Sequence, residues 1–334
     1  MTLSTTAPRG RSLRPDETPS PDGGAQRLPL EKLRAWEALE YGMFLHFGMS
    51  TFDGFEHSFG EEPASTYAPD QLDVDQWVQV ARDAGMRYAV LTTKHVAGHC
   101  LWPTDHTDYH VGNSSDTTDV VEAFVTACQK HGLMAGLYYC CWDNHNRFGS
   151  MTGSFTNADA GFEPYTTEAY RAFQRAQIEE LLTRYGPIGE VWIDCPSKLG
   201  GAGMRQQYEQ IAELAPEAVV MMSHGFGDGA AIDLAKVWPT DLMAVERWLP
   251  SSAGGYQPWF RFSETRRKTR KTVSEIVDAS GESPQDYYLP AEVCDPIGYD
   301  WFHTDTDVDR SAMELAGMRA ICKARGANLL LNVP

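Results

Sequence analysis

The sequence contains no long apolar run and little positive charge. No stretch of its 334 residues approaches the roughly 18 consecutive apolar residues that a membrane-spanning helix needs, which argues against a membrane protein. Its 28 basic residues stand against 46 acidic ones, giving a formal net charge of -18. This balance excludes a protein that binds along a row of nucleic-acid phosphates. The one basic cluster, residues 266–271 (RRKTRK), fits a solvated helix face.

The cysteines lack the spacing that is typical of a disulfide framework. There are seven, an odd number, and the adjacent Cys140 and Cys141 would point to opposite faces of a strand. We therefore expect reduced thiols in a reducing compartment. Residues 1–28 are rich in Pro, Gly, Ser and Thr and contain no apolar segment of a secretory signal. We predict a disordered leader over 1–28 and a cytoplasmic protein.

From residue 29 onward, short apolar runs alternate with longer segments of helical periodicity. This alternation is typical of parallel βαβ units. It predicts one α/β domain over residues 29–334, a (β/α)8 TIM-like barrel with no β-sandwich after it. The candidate strands are 42–46, 88–93, 134–140, 190–194, 218–223, 243–248, 288–293 and 328–333. Residues 249–286 are long for one crossover, and we expect a lid or an extra helix there.

Ionisable and aromatic residues follow nearly every candidate strand. The carboxyl ends of barrel strands are where such folds place their active sites. Aromatic faces and hydrogen-bonding side chains suit a sugar, and two carboxylates flanking a glycosidic bond are the minimum needed to hydrolyse it. The candidates are His46, His95, His99, Tyr138, Tyr139, Trp142, Asp194, His224, Glu246 and Glu292.

The carboxylates divide into one candidate nucleophile and two candidate acids. Asp194 ends the buried run EVWID, where an unpaired charge would be costly, and a helix N-cap or a structural role is its alternative. Glu246 and Glu292 each follow an apolar run, and either could protonate the leaving oxygen. The alternative for each is a hydroxyl ligand or a partner for an arginine such as Arg247.

Two other interpretations of these residues stay open. His46, His95 and His99 could bind a hydrolytic metal ion, although Gly98 and the turn around it disfavour a shared face. Trp102 and Trp142 could equally pack in the core or form a platform for a sugar. We expect neither a metal nor another cofactor.

Several motifs resemble the α-L-fucosidases of glycoside hydrolase family 29. They extend from about residue 41 to residue 334 and are densest over residues 41–145. The segments are HFGMSTFDGFE, YAPDQLDVDQWVQVARDAGMRYAVLTTKH, CLWPTDHTDYHVGNS, GLMAGLYYCCWDNH, EVWIDC and GANLLLNVP. The resemblance implies a retaining exo-glycosidase that acts on fucosylated oligosaccharides. Within the family, the chain resembles most the branch that prefers α-1,3- or α-1,4-linked fucose.

The resemblance also implies roles for individual residues. Asp194 would form a covalent fucosyl-enzyme, while His46 and Glu56 would contact fucose. In the branch that the chain resembles more, the acid/base lies on the strand two after that of the nucleophile, which implies Glu246. Glu292 is the second candidate, because the residues around it resemble the Trp-Glu-x-Cys motif that holds the acid/base in the other branch. In a retaining enzyme the two carboxyl groups are about 5–5.5 Å apart.

Some positions depart from the family pattern. Val96 replaces a fucose-binding histidine, for which His99 could compensate, and Cys195 replaces the glycine after the nucleophile. A related sugar therefore remains an alternative substrate, and a catalytically silent carbohydrate-binding protein an alternative function. A homo-oligomer is compatible with the sequence.

Overall fold

The computed structural model describes residues 10–14, 16–146, 165–223, 234, 237–247, 249–250, 255–262 and 284–334. Its strands are β1 Gly10–Ser12, β2 Tyr41–Leu45, β3 Tyr88–Lys94, β4 Met134–Cys140, β5 Glu190–Asp194, β6 Val219–Ser223, β7 Met243–Glu246, β8 Trp259–Phe262, β9 Gln285–Tyr288, β10 Ala291–Pro296 and β11 Ala327–Asn332. Its α-helices are α1 Leu30–Glu37, α2 Met49–Asp53, α3 Val74–Asp83, α4 Val120–His131, α5 Glu168–Arg184, α6 Gly200–Leu214 and α7 Ala312–Ala324.

Eight parallel strands form a nearly closed barrel. Their order is β6-β5-β4-β3-β2-β11-β10-β7. The segment before β7 bridges the remaining gap to β6, because the backbone N–H of Asp241 donates to the carbonyl of Val220 at 2.8 Å. The Asp241 carboxylate accepts the N–H of Val220 at 2.9 Å in return. The predicted (β/α)8 TIM-like fold is confirmed.

The apolar side chains form two layers, one inside the barrel and one between the barrel and its helices. Side chains alternate between the two faces of a strand. In β3, Tyr88 and Val90 belong to the inner layer, while Ala89 and Leu91 belong to the outer one. Residues Leu33 and Trp36, from α1, join the inner layer. This alternation decides which strand residues can reach a site at the barrel mouth.

Side-chain caps fix where several helices begin. Asp73, Asp119 and Thr167 each accept a backbone N–H from the first turn of α3, α4 and α5. Ser311 and Glu314 form a reciprocal capping box at the start of α7. These bonds satisfy amide groups that have no partner within the helix. The caps therefore fix the first turn of each of these four helices.

The N-terminal segment differs from the predicted disordered leader. Strand β1 pairs antiparallel with β8, which pairs with β9, so residues 10–12 belong to a second, three-stranded sheet. Leu13 and Leu28 are 4% exposed. The prediction is therefore wrong for residues 10–14 and 16–28, and residues 1–9 lie outside the described residues.

The predicted lid is also revised in part. Residues 259–262 and 285–286 lie in β8 and β9, which belong to this second sheet. The basic cluster 266–271 and most of the remaining segment lie outside the described residues. Across the described ranges, none of the helices has the length and apolar character to cross a membrane.

Candidate active site

Asp194, the last residue of β5, lies at the carboxyl end of the barrel. Its Oδ2 accepts the Tyr138 hydroxyl at 2.7 Å, and its Oδ1 accepts the Cys195 backbone N–H at 2.8 Å. Burial raises the pKa of Asp194, and these two hydrogen bonds oppose that rise because they favour the charged form. The carboxylate is thus fixed in orientation by donors from its own turn and from the neighbouring strand.

Glu246, the last residue of β7, provides a second carboxyl group at the same end. Burial, followed by repulsion from Asp194, raises the pKa of Glu246 to about 7. Arg247 lowers that pKa, and its Nε lies 4.0 Å from the Glu246 Oε1. The carboxyl side chain is 14% exposed. A carboxyl group with such a pKa can both donate and accept a proton near neutral pH.

Glu56 adds a third carboxyl group from the loop after α2. Burial raises its pKa, and the charges of His57 and Arg247 oppose the shift. The Nε2 of His57 lies 3.6 Å from the Glu56 Oε1. Asp194 also contributes to the raised pKa of Glu56, and Glu56 to that of Glu246. The predicted Glu56, Asp194 and Glu246 therefore face a common mouth.

His46 lies among aromatic rings at the base of this mouth. Its Nδ1 lies 2.7 Å from the Oδ1 of Asn332, and its ring centre lies 5.3 Å from that of Trp301 and 5.2 Å from that of Phe302. Burial lowers the pKa of His46 to about 3. The imidazole is consequently neutral, with one nitrogen that can bond a hydroxyl group.

His95 stands beside His46, with 5.9 Å between their ring centres. The His95 ring stacks on Tyr138 at 5.9 Å, so it lies next to the residue that holds Asp194. Burial lowers the pKa of His95 well below its ordinary value. Both imidazoles thus lie against Tyr138, which bonds Asp194, an arrangement suited to recognising a polyhydroxylated ring.

Trp142 belongs to the same inner layer as Tyr138. Its indole N–H donates to the Oδ1 of Asn144 at 2.7 Å, and the Lys198 ammonium lies 4.3 Å from the centre of its ring. The side chain follows β4 and lies on the same side of the barrel as Asp194. The indole ring therefore lies at this end of the barrel, with a cation against its face.

Two predicted sugar ligands lie elsewhere. Trp102 is fully buried in the outer layer, where its indole N–H donates to Glu180 of α5 at 3.0 Å. His99 stacks on Tyr67, and its Nε2 lies 2.8 Å from the Ser114 hydroxyl oxygen. Both side chains are buried, with Trp102 0% and His99 3% exposed. The structure therefore corrects both predictions to packing roles.

Glu292 is the third correction. It is the second residue of β10, not the end of a strand, and it is 1% exposed inside the barrel. Its carboxyl oxygens accept the Tyr88 hydroxyl at 2.7 Å and the Trp192 indole N–H at 2.9 Å. With both oxygens bound deep in the barrel, Glu292 does not reach the mouth where Glu246 lies.

The remaining predictions divide as follows. His224 lies outside the described residues. The proposed triad of His46, His95 and His99 is separated, because His99 packs in the outer layer while the other two line the inner one. Asp194, Glu246, Glu56, His46, His95, Tyr138 and Trp142 are brought to the same end of the barrel.

Three neighbours of the site, His57, Trp301 and Phe302, were not among its predicted residues, and Arg247 was considered only as a partner for a glutamate. His57 directly follows Glu56 in the chain, and its Nε2 lies 3.6 Å from the Glu56 Oε1. Trp301 and Phe302 contact His46 from the loop after β10, and the Arg247 guanidinium lies 5.0 Å from the Trp301 ring centre. The position of His57 next to Glu56 could have indicated its place at the site from the sequence alone. The contact of the loop after β10 with His46 could not, because the two are far apart in sequence and meet only in the folded barrel.

The chain is similar to known proteins of one family. A family model described as Alpha-L-fucosidase matches residues 52–334. The chain is 31% identical over 320 residues to alpha-L-fucosidase 1 of Arabidopsis thaliana, covering 92% of this chain and 56% of that protein. The chain thus spans about half the length of the curated relatives that it matches over most of its own length.

Solved structures show the same fold. Alpha-L-fucosidase isoenzyme 1 from Paenibacillus thiaminolyticus gives a TM-score of 0.69 at 25% identity, covering 91% of this chain and 70% of that one. A glycoside hydrolase 29 family member from an unknown rumen bacterium gives a TM-score of 0.64 at 26% identity, covering 98% of this chain and 54% of that one.

Proposed function

The chain belongs to the α-L-fucosidase family, and from that premise we propose that it hydrolyses terminal α-L-fucose from oligosaccharides through a covalent fucosyl-enzyme. One observation carries the proposal. Asp194 is held by Tyr138 and Cys195 at the end of β5, while Glu246, with a pKa of about 7, faces the same mouth. Two carboxyl groups at one mouth, with different hydrogen-bond partners, supply the nucleophile and the acid that glycoside hydrolysis needs.

In the first step, an oxygen of Asp194 attacks the anomeric carbon. The glycosidic bond breaks, and Glu246 donates its proton to the departing oxygen. The hydrogen bonds from Tyr138 and the Cys195 N–H favour the ionised form of Asp194 and orient it for attack. The product of this step is an ester between the sugar and Asp194, with the aglycone released as an alcohol.

In the second step, Glu246 acts as the base. Its carboxylate removes a proton from a water molecule, whose oxygen attacks the anomeric carbon and displaces Asp194. Two inversions give net retention of configuration. His46, His95 and Glu56 bind ring hydroxyl groups, and Trp142 covers one side of the mouth. No cofactor takes part, because the two carboxyl groups provide the nucleophile, acid and base.

The departures from the family pattern motivate a second candidate substrate. Val96, where the family has a fucose-binding histidine, is 2% exposed and packs in the inner layer with Tyr138 and Trp142. One hydroxyl contact is therefore replaced by an apolar one. The alternative substrate is a sugar related to fucose in which that hydroxyl group is missing or modified. The alternative function is carbohydrate binding without hydrolysis.

A panel of glycans tests these alternatives. The purified protein is incubated with α-1,2-, α-1,3-, α-1,4- and α-1,6-fucosylated oligosaccharides, beside the Asp194→Asn variant, and released sugar is quantified. We expect fucose from at least one linkage with wild type and none with the variant. Binding by calorimetry with no release from any glycan would contradict the proposed activity.

We further propose a cytoplasmic location. All seven cysteines are free thiols, which is typical of proteins kept in a reducing compartment. Fractionation of the source cells, followed by immunodetection of the native protein, tests this. Recovery mainly outside the cytoplasm would contradict it.

A further inference from the structure

Two thiols lie directly beside Asp194. The Sγ atoms of Cys140 and Cys195 and one carboxylate oxygen of Asp194 lie within 4.8 Å of one another. Across the described parts of the chain, this is the one group of three His, Cys, Asp or Glu ligands so closely spaced. We propose that Cys140, Cys195 and Asp194 form a binding site for one thiophilic divalent cation such as Zn²⁺, which shuts off the enzyme.

The backbone places the three groups together. Cys140 at the end of β4 and Asp194 at the end of β5 are register partners in the barrel. The Cys140 thiol lies 3.9 Å from the Asp194 Oδ2. Because both residues lie on rigid strands, two of the three ligands are positioned before any ion arrives.

Cys195 completes the group from a strained backbone. Its φ is 53° and its ψ is 38°, in the left-handed region where glycine is favoured. A side chain kept in such a conformation points to a role for that side chain. The thiol at this position is what brings the number of close ligands to three.

The chemistry of the donors favours a soft cation. Two thiolates and a carboxylate suit Zn²⁺, with one coordination position left for water. On binding, each thiol releases its proton to solvent, and the cation forms bonds to both sulfurs and to the carboxylate oxygen. The Lys198 ammonium interacts electrostatically with both cysteines and offsets the negative charge of the loaded site.

Inhibition follows from the shared ligand, and this part rests on the proposed function. An oxygen of Asp194 that coordinates a cation is no longer available to attack the anomeric carbon. The cation would thus compete with glycoside cleavage without unfolding the barrel. Chelation would restore activity, because no covalent bond within the chain has changed.

The test measures metal binding apart from activity. Wild type, Cys195→Gly and Cys195→Ser are dialysed against Zn²⁺, and bound metal is quantified. Co²⁺ loading is followed through the thiolate-to-cobalt charge-transfer absorption. Cys128→Ala, which removes a buried thiol on α4, is the matched control. We expect one ion per chain in wild type and control, and an affinity at least about 10-fold lower in both Cys195 variants.

The possible results separate the site from the enzyme activity. Equal affinity in wild type and the Cys195 variants, or no charge-transfer band in wild type, would overturn the site. Metal binding that follows this pattern, in a protein that hydrolyses no fucoside, would leave the site standing and reject the proposed function. When both the site and the activity are present, Zn²⁺ inhibits hydrolysis by wild type and chelator reverses the inhibition. In Cys195→Gly, Zn²⁺ lowers the rate, relative to the metal-free rate of that same variant, by a smaller factor. Thermal melts confirm that each variant is folded.

Discussion

The barrel contains two pairs of carboxyl groups whose surroundings differ. Asp194 and Glu246 end their strands at the mouth, whereas Glu190 and Glu292 lie at the first and second positions of theirs. All four have raised pKa values, and burial is the largest cause in each. A raised pKa therefore does not separate the two pairs.

Their partners do separate them. The Glu292 carboxyl is bound by Tyr88 and Trp192, and Glu190 accepts the Trp36 indole N–H at 3.0 Å. The charge of Glu292 also raises the pKa of Glu190. The inner pair is thus buried and bound by tyrosine and tryptophan side chains, away from the mouth. The outer pair keeps one carboxylate oriented and one carboxyl group able to exchange its proton, which is what hydrolysis uses.

The largest expected effect separates the nucleophile from the inner pair. Asp194→Asn should lower kcat by at least about 10³-fold, because the covalent step loses its attacking oxygen. Glu292→Gln, which conserves shape, should stay within a few-fold of wild type. Steady-state kinetics on the best glycan of the panel measures both. An equal loss in the two variants would contradict the distinction between mouth and interior.

Glu246→Gln should lower kcat by about 10²- to 10⁴-fold on natural glycosides, since the leaving oxygen loses its proton donor. An aryl fucoside with a good leaving group needs less help, so the first step should recover with it. Comparing the two substrates in single-turnover experiments measures this. A loss independent of the leaving group would assign Glu246 to binding instead.

The pH profile sharpens the same assignment. Glu246 must be protonated for the first step, and its pKa is about 7. As pH rises through that value the acid is lost, so kcat/KM should fall about tenfold per pH unit on the alkaline side. Rates between about pH 5 and 9 measure this. The limb should vanish in Glu246→Gln, and its persistence there would assign the titration to another group.

The smallest effect concerns stability, through the inner pair. The pKa of Glu292 is about 7 against an ordinary 4.5, so the folded chain retains a proton that the unfolded chain has lost. Stability should therefore fall as pH rises from 4.5 to 7 and level off above. The loss is at most about 3 kcal/mol.

Melting temperatures at about pH 5 and pH 8 check this linkage. The decrease between the two should be smaller in Glu292→Gln than in wild type, because the amide does not titrate. Glu213→Gln, an exposed change on α6, serves as the control and should melt like wild type at both pH values. An unchanged decrease in Glu292→Gln would show that the inner pair does not carry the pH dependence.

Strand ends were predictable because barrel topology is local in sequence. An apolar run followed by a polar residue located His46, Asp194 and Glu246 correctly. Glu292 was misplaced because residues 288–293 were taken as one strand. Pro290 lacks an N–H group and separates β9 from β10, which moves Glu292 from the end of a strand to the start of the next.

Other features depend on contacts distant in sequence. Trp102 is fixed by Glu180, 78 positions away, and β1 pairs with a strand about 250 positions away. Composition alone made the N-terminal segment resemble a disordered leader, since nothing local indicates that Arg11 lies opposite Arg261 in a sheet. Contacts between residues so far apart in sequence form only when the whole chain folds, so no local pattern predicts them.

Trapping the covalent intermediate tests the central claim most directly. The wild-type protein is incubated with a 2-deoxy-2-fluoro-fucosyl fluoride, digested, and analysed by mass spectrometry. A fluorosugar on the peptide containing Asp194, at that residue, is the predicted result. A label on Glu246, Glu56 or Glu292, or continued turnover with no labelled peptide, would contradict the assignment of Asp194 as the nucleophile.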